Sequence, residues 1–276
     1  MNRYRYGRTS ARSAALLSVL LLAVSLSGET AASPVTGSAS LGALNRYIFR
    51  GYRLGRDSFV LQPALTVSYA GFSATFWANL DMKEKATECF VPDRAGRKSL
   101  DETDLTLSYA RSFGKLGLTA GFIYYATKFT AETQEMYVGA SLDIPGKPTL
   151  AICRDIAAYP GTYILFSIAH SVALTRRMGL DLGASAAYFA GSSDYWRTYV
   201  ASAGSYTGGR YHAFHDGMLK AALTFPLTTG LVLQAGTQLY FPLSAAAGRM
   251  VDGHPYNING QLKTVLVLGT VTTFSF

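Results

Sequence analysis

Four histidines are the first residues to weigh for chemistry, because an imidazole held against a serine hydroxyl activates it as a nucleophile. His170 and Ser171 are adjacent. Neighbouring side chains on a β-strand point to opposite faces, so this pair needs a bulge before it can bond as base and nucleophile. His212 and His215 are three apart and are divided between two faces by the same rule. All three are read as histidines at an interface or in a loop. His254 lies between Gly253 and Pro255 with no companion at metal-ligand spacing. Cys89 and Cys153 belong to different segments and are expected as free thiols. No catalytic residue, metal site or cofactor is expected.

Charge offers a second kind of chemistry. If the segments that carry them are strands, parity sends Asp81, Glu102, Asp104, Glu135, Asp143, Asp155 and Asp181 to one face. The same face receives Arg46 and Arg50 from a first strand, Lys220 from a tenth and Lys263 from a twelfth. Trp77, Tyr125, Tyr137, Tyr163 and Tyr240 join them. Around a closed sheet the bases would form one wall and the acids the wall facing it. Such rows either set up a transverse field that orders passing solutes, or pair directly and fill a narrow interior.

The elements that must position these residues are strands. From Phe72 to Met82, the residues Phe72, Ala74, Phe76, Ala78, Leu80 and Met82 share one face, and Ser73, Thr75, Trp77, Asn79 and Asp81 the other. A helix would scatter both sets. The same alternation predicts strands over about 38–50, 58–69, 72–82, 102–112, 116–128, 135–144, 149–156, 162–174, 179–189, 212–226, 231–241 and 263–276. Pro63 removes one ladder donor from the second of these. Connections such as Ala70-Gly71 and Gly114-Lys115 are tight, whereas 83–101, 190–211 and 242–262 are long. Twelve is even, so both ends of the sheet fall on the short-turn side.

Charged residues make up 15% of the chain, against about 25% in an ordinary soluble domain. There are 27 Gly and 18 Tyr. Arg3, Arg5, Arg8 and Arg12 precede a thirteen-residue apolar run, Ala14 to Leu26, and then small residues. That is the layout of a signal peptide over residues 1–32, too short to span a bilayer as a helix. Its removal takes four of 25 basic and one of 17 acidic residues, so the net charge falls from +8 to +5. The remainder forms no basic cluster, which argues against nucleic acid. The last strand alternates to Phe274 and Phe276, as in outer-membrane barrels whose terminal strand carries an assembly signal. The expected fold is therefore an all-β, antiparallel transmembrane β-barrel of about twelve strands over 33–276, with short periplasmic turns and long extracellular loops. Tyr47, Tyr69, Tyr109, Tyr124 and Tyr188 would form aromatic girdles.

A further likeness lies in Leu44-Asn45-Arg46-Tyr47-Ile48-Phe49-Arg50-Gly51, Gln62-Pro63, Tyr69-Ala70-Gly71-Phe72 and Trp77-Ala78-Asn79. This stretch resembles the opening of the TorF-type porin family, and Gly161-Thr162-Tyr163 resembles a later element of it. That family usually carries a small hydroxyl residue two positions beyond the Arg-Gly pair, where this chain has Arg53. The resemblance implies a porin-like barrel and assigns neither a substrate nor catalytic residues.

The expectation is a narrow passive porin for small polar solutes. Arg46, Arg50, Trp77, Asp81, Glu102, Asp104, Glu135, Asp155, Lys220 and Lys263 would line its pore. Its partners would be membrane lipid, lipopolysaccharide and the barrel-assembly machinery. A non-conducting structural or adaptor barrel is the alternative. A lipid-modifying barrel enzyme would need a nucleophile and base on one strand face.

Overall fold

The computed structural model describes residues 35–55, 58–85, 95–128, 130–250 and 262–276. Its strands are β1 (Thr36–Leu44), β2 (Tyr47–Phe49), β3 (Tyr52–Gly55), β4 (Val60–Tyr69), β5 (Phe72–Asp81), β6 (Ser99–Phe113) and β7 (Leu116–Thr127). They continue with β8 (Thr133–Leu142), β9 (Thr149–Asp155), β10 (Gly161–Thr175), β11 (Met178–Gly191), β12 (His212–Thr228), β13 (Leu231–Pro242) and β14 (Val265–Ser275). One short helix, α1 (Ala245–Arg249), follows β13; the Ser244 hydroxyl accepts from the Ala247 N–H and caps it.

Among the described residues, β1 and β4 to β14 close into an antiparallel barrel of twelve strands in chain order, and β2 pairs only with β3. Closure is made by β1 against β14, with Leu44 opposite Gly269 and Ser38 opposite Ser275. Gly37 and Phe276 extend that seam by exchanging two backbone hydrogen bonds of 2.8 and 2.9 Å. Ala70-Gly71 and the other tight turns gather with both ends of the sheet at one end of the barrel. Longer connections gather at the other.

The two faces are sorted inside out relative to a soluble barrel. Phe76, Leu105, Val138, Phe166 and Leu219 point outward and are exposed. Inward positions of the short-turn half carry small polar residues. Thr66 bonds Thr75 at 2.9 Å, and Ser68 bonds Ser73 at 2.7 Å. Tyr69, Phe72 and Phe274 are exposed near the short turns, and Phe59 and Phe214 near the long loops, so rings sit at both rims of the apolar band. No helix of the described residues is long and apolar enough to cross a membrane. The signal-peptide reading and Cys89 lie outside the described residues, as does His254.

Two expectations are corrected here. The first strand ends at Leu44 rather than at residue 50. Asn45 terminates it: its N–H donates to the Leu268 carbonyl, and its side-chain oxygen accepts from the Leu268 N–H, both at 3.0 Å. The last strand starts at Val265, so Lys263 precedes it and is exposed.

Candidate functional site

Beyond Asn45 the chain turns into the barrel. β2 and β3 form a hairpin whose two-residue turn is Arg50-Gly51, with φ of 49° and 77°. Positive φ at both central residues is the type I′ geometry that matches the twist of a tight hairpin. Gly51 is required for a second reason. A Cβ there would stand 2.3 Å from Leu262 Cδ1 and 2.7 Å from Asp216 Cβ. The hairpin is rooted between β1 and β4, and its tip reaches the wall on the far side.

The tip is held by charge. Arg50 Nη1 donates to Glu135 Oε1 at 2.7 Å and Nη2 to Oε2 at 2.6 Å, a two-pronged pairing with a residue of β8. The Tyr125 hydroxyl also donates to Glu135, at 3.0 Å. The guanidinium lies 4.5 Å from the centre of the Tyr163 ring and 4.8 Å from that of Phe49. Tyr163 in turn donates to Asp216 at 3.0 Å. Such a pair keeps its favourable balance only while the remaining donors and acceptors are satisfied, as they are here.

Aromatic packing fills the rest of the long-loop half. Tyr47 stands 5.6 Å from Trp77, and its hydroxyl bonds Glu102. Tyr52 and Phe189 pack on the His215 ring at 5.0 and 5.5 Å, and Tyr211 bonds its Nδ1 at 2.8 Å. Trp196, from the β11–β12 connection, closes over Phe189 at 4.4 Å and donates its indole N–H to the Tyr159 carbonyl. Tyr47 is therefore a buried hairpin residue and not part of a girdle. His215, read as interfacial or in a loop, is fully buried within the barrel.

The charges expected along a pore are placed as follows. Arg50 reaches the interior from the hairpin, and Arg46 lies in the bend before it, so neither projects from a barrel strand. Glu135 binds Arg50. Asp155 is buried and accepts from the Thr133 hydroxyl at 2.7 Å and from the Ala157 and Tyr159 N–H groups, fixing the turn after β9. Asp81 accepts from the Ser58 hydroxyl and from the Lys83 N–H. Glu102 and Asp104 lie on β6 beneath the hairpin, with Asp104 opposite Trp77 in register. Asp143 is exposed in the turn after β8. The two charged walls consequently do not face each other across open space.

Below the hairpin the inner face is nearly uncharged. Lys220 donates to Gln234 at 2.9 Å, and Gln234 donates to Asp181 at 2.9 Å. Ser171 and Thr224 also donate to Asp181. Ser171 thus faces inward, while the adjacent His170 is exposed on the other face. No group of three or more metal-binding side chains occurs among the described residues.

Phe274 and Phe276 are exposed on the outer face of the seam, their rings 6.0 Å apart. The inserted hairpin is the element of the candidate site that alternation alone missed. Its one sequence signal is the Arg50-Gly51 pair flanked by aromatics on both sides.

No protein-family model and no curated protein matches the sequence. Solved structures do. The chain is similar to a NanC porin at a TM-score of 0.53 and 10% identity, covering 86% of this chain and 98% of that one. It is also similar to an outer-membrane channel from Pseudomonas putida F1 at a TM-score of 0.46 and 10% identity, covering 91% and 97%. The first likeness supports the barrel fold, and its low identity carries nothing about solute.

Proposed function

We propose that the protein is an outer-membrane channel for small polar solutes, narrowed by the β2–β3 hairpin. The observation that carries this reading is the latch of Arg50 to Glu135, which stretches the hairpin across the lumen. An apolar outer band suits a lipid and lipopolysaccharide surround, and a closed ladder suits a solvent that offers no hydrogen bonds. A hydroxyl-lined lower lumen suits polar solutes. The porin fold and the TorF-type resemblance of residues 44–81 point the same way. In this reading residues 1–32 direct export, the short turns are periplasmic, and Phe274 and Phe276 meet the barrel-assembly machinery.

One observation favours the non-conducting alternative: the hairpin is packed among Trp77, Phe189 and His215 with little free space. Recording from purified, refolded protein in planar bilayers separates the two. Small, discrete current steps are expected. Silence at all voltages, in protein that keeps the heat-shifted mobility of a folded barrel, would contradict conduction.

A further inference from the structure

Beside the hairpin, at the long-loop end, lies a cavity of about 110 Å³. Its walls are rings, among them Phe49 and Tyr52 of the hairpin and Trp196 of the β11–β12 connection. Its polar lining includes Glu102, Glu135, Asp155 and Arg50, three carboxylates against one base.

A census of hydrogen-bonding groups decides what could fill it. Most of the donors on these walls are already engaged. Arg50 gives both terminal nitrogens to Glu135, as Tyr125 gives its hydroxyl. Trp196 gives its N–H to the Tyr159 carbonyl, and Thr133 its hydroxyl to Asp155. Glu102 receives the Tyr47 hydroxyl and, when ionised, retains acceptor capacity. The Tyr52 hydroxyl is buried without a partner among the described residues and can accept as well as donate. A sugar needs donors and acceptors together, whereas this site offers chiefly acceptors, more carboxyl groups than bases, and ring faces. Ring faces attract cations through their quadrupole, and a neighbouring carboxylate adds to that attraction.

We propose that this cavity is a binding site for a small organic cation, an ammonium group on an apolar body. The ammonium takes the carboxyl-lined part of the cavity, and the apolar part packs against the rings of Tyr52 and Trp196. The proposal does not rest on conduction, because binding is measured on detergent-solubilised protein where nothing flows.

The probe is benzylammonium, with benzyl alcohol as its neutral isostere. Each is titrated by calorimetry into the full-length mature barrel in a nonionic maltoside at neutral pH. Saturable binding of benzylammonium is expected, weakened about tenfold or more by Glu102→Gln, which removes a charged acceptor. Trp196→Ala should weaken it through lost ring contact. Equal binding of benzyl alcohol would overturn the proposal, as would absence of saturable benzylammonium binding in folded protein. Should Glu102→Gln fail to fold, the comparison of the two probes on the unaltered protein decides the matter alone. A result there leaves the conductance measurement untouched.

Discussion

Arg50 holds both carboxylate oxygens of Glu135, at 2.7 and 2.6 Å, from the tip of a hairpin rooted on the opposite wall. The side chains are only 15% and 4% exposed, so removing one partner leaves the other charge buried and unpaired. That typically costs about 3–5 kcal/mol. Because the barrel ladder is independent of the pair, the loss should fall on hairpin docking. Glu135→Ala is expected to open a tryptic site after Arg50 while the barrel keeps its heat resistance. Adding Arg50→Ala should recover part of the loss, and a double-mutant cycle measures how much. A hairpin that stays protected in Glu135→Ala would show that packing alone holds it.

Gly51 tests the docking without touching charge. Gly51→Ala meets Leu262 and Asp216, whereas Gly96→Ala, also at positive φ, meets nothing within 4 Å. Both changes carry the backbone cost of the left-handed region, about 1–2 kcal/mol. Only the first adds overpacking, about 1–3 kcal/mol more. Limited proteolysis and thermal melting should rank Gly51→Ala well below Gly96→Ala, and equal behaviour would remove the close approach from the account.

Alternation reports which face a residue takes, and that is why the stretch from Phe72 to Asp81 was legible. Its outward set is large and apolar, and its inward set polar. Alternation does not report where a strand leaves the sheet. Tyr47, Ile48 and Phe49 continue the rhythm of β1, and only Asn45 bonding back to Leu268 ends the ladder. Counting along β1 puts Arg50 in the interior, although that strand stops at Leu44. It reaches the interior by a different route. Lys263 failed for the mirror reason, since the strand begins two residues after it. The pairing of charges was the harder part. Parity gave Glu135 and Asp155 the same face, but Asp155 serves its own turn and Glu135 serves a loop 85 residues away.

Below the hairpin, Lys220 and Asp181 are the charges on the inner face of the described strands. Asp181 is surrounded by Ser171, Thr224 and Gln234 donors, while Lys220 donates to the neutral Gln234. A charge within a low-dielectric wall acts strongly on passing ions. Lys220→Gln should therefore shift the reversal potential toward cation preference in a salt gradient. An unchanged potential would take Lys220 out of the ion path.

Phe276 closes the seam with Gly37 through two backbone bonds, and its ring covers Gly37 from outside. Neutral bonds of this kind contribute about 0.5–1.5 kcal/mol each. Deleting Phe276 should thus lower the heat resistance of refolded barrel modestly while sharply reducing folded protein in outer membranes. Equal losses in both would deny the terminal residue a role in assembly beyond stability.

The central claim is that the hairpin sets the size of the conducting path, and its most direct test is single-channel conductance with and without it. In the variant, residues 46–55 are replaced by a short Gly-Ser linker, and folding is checked by heat-shifted mobility. The account predicts small steps from the unaltered barrel and steps several-fold larger from the variant, with larger neutral solutes now admitted. Equal conductance from the two folded proteins would contradict it.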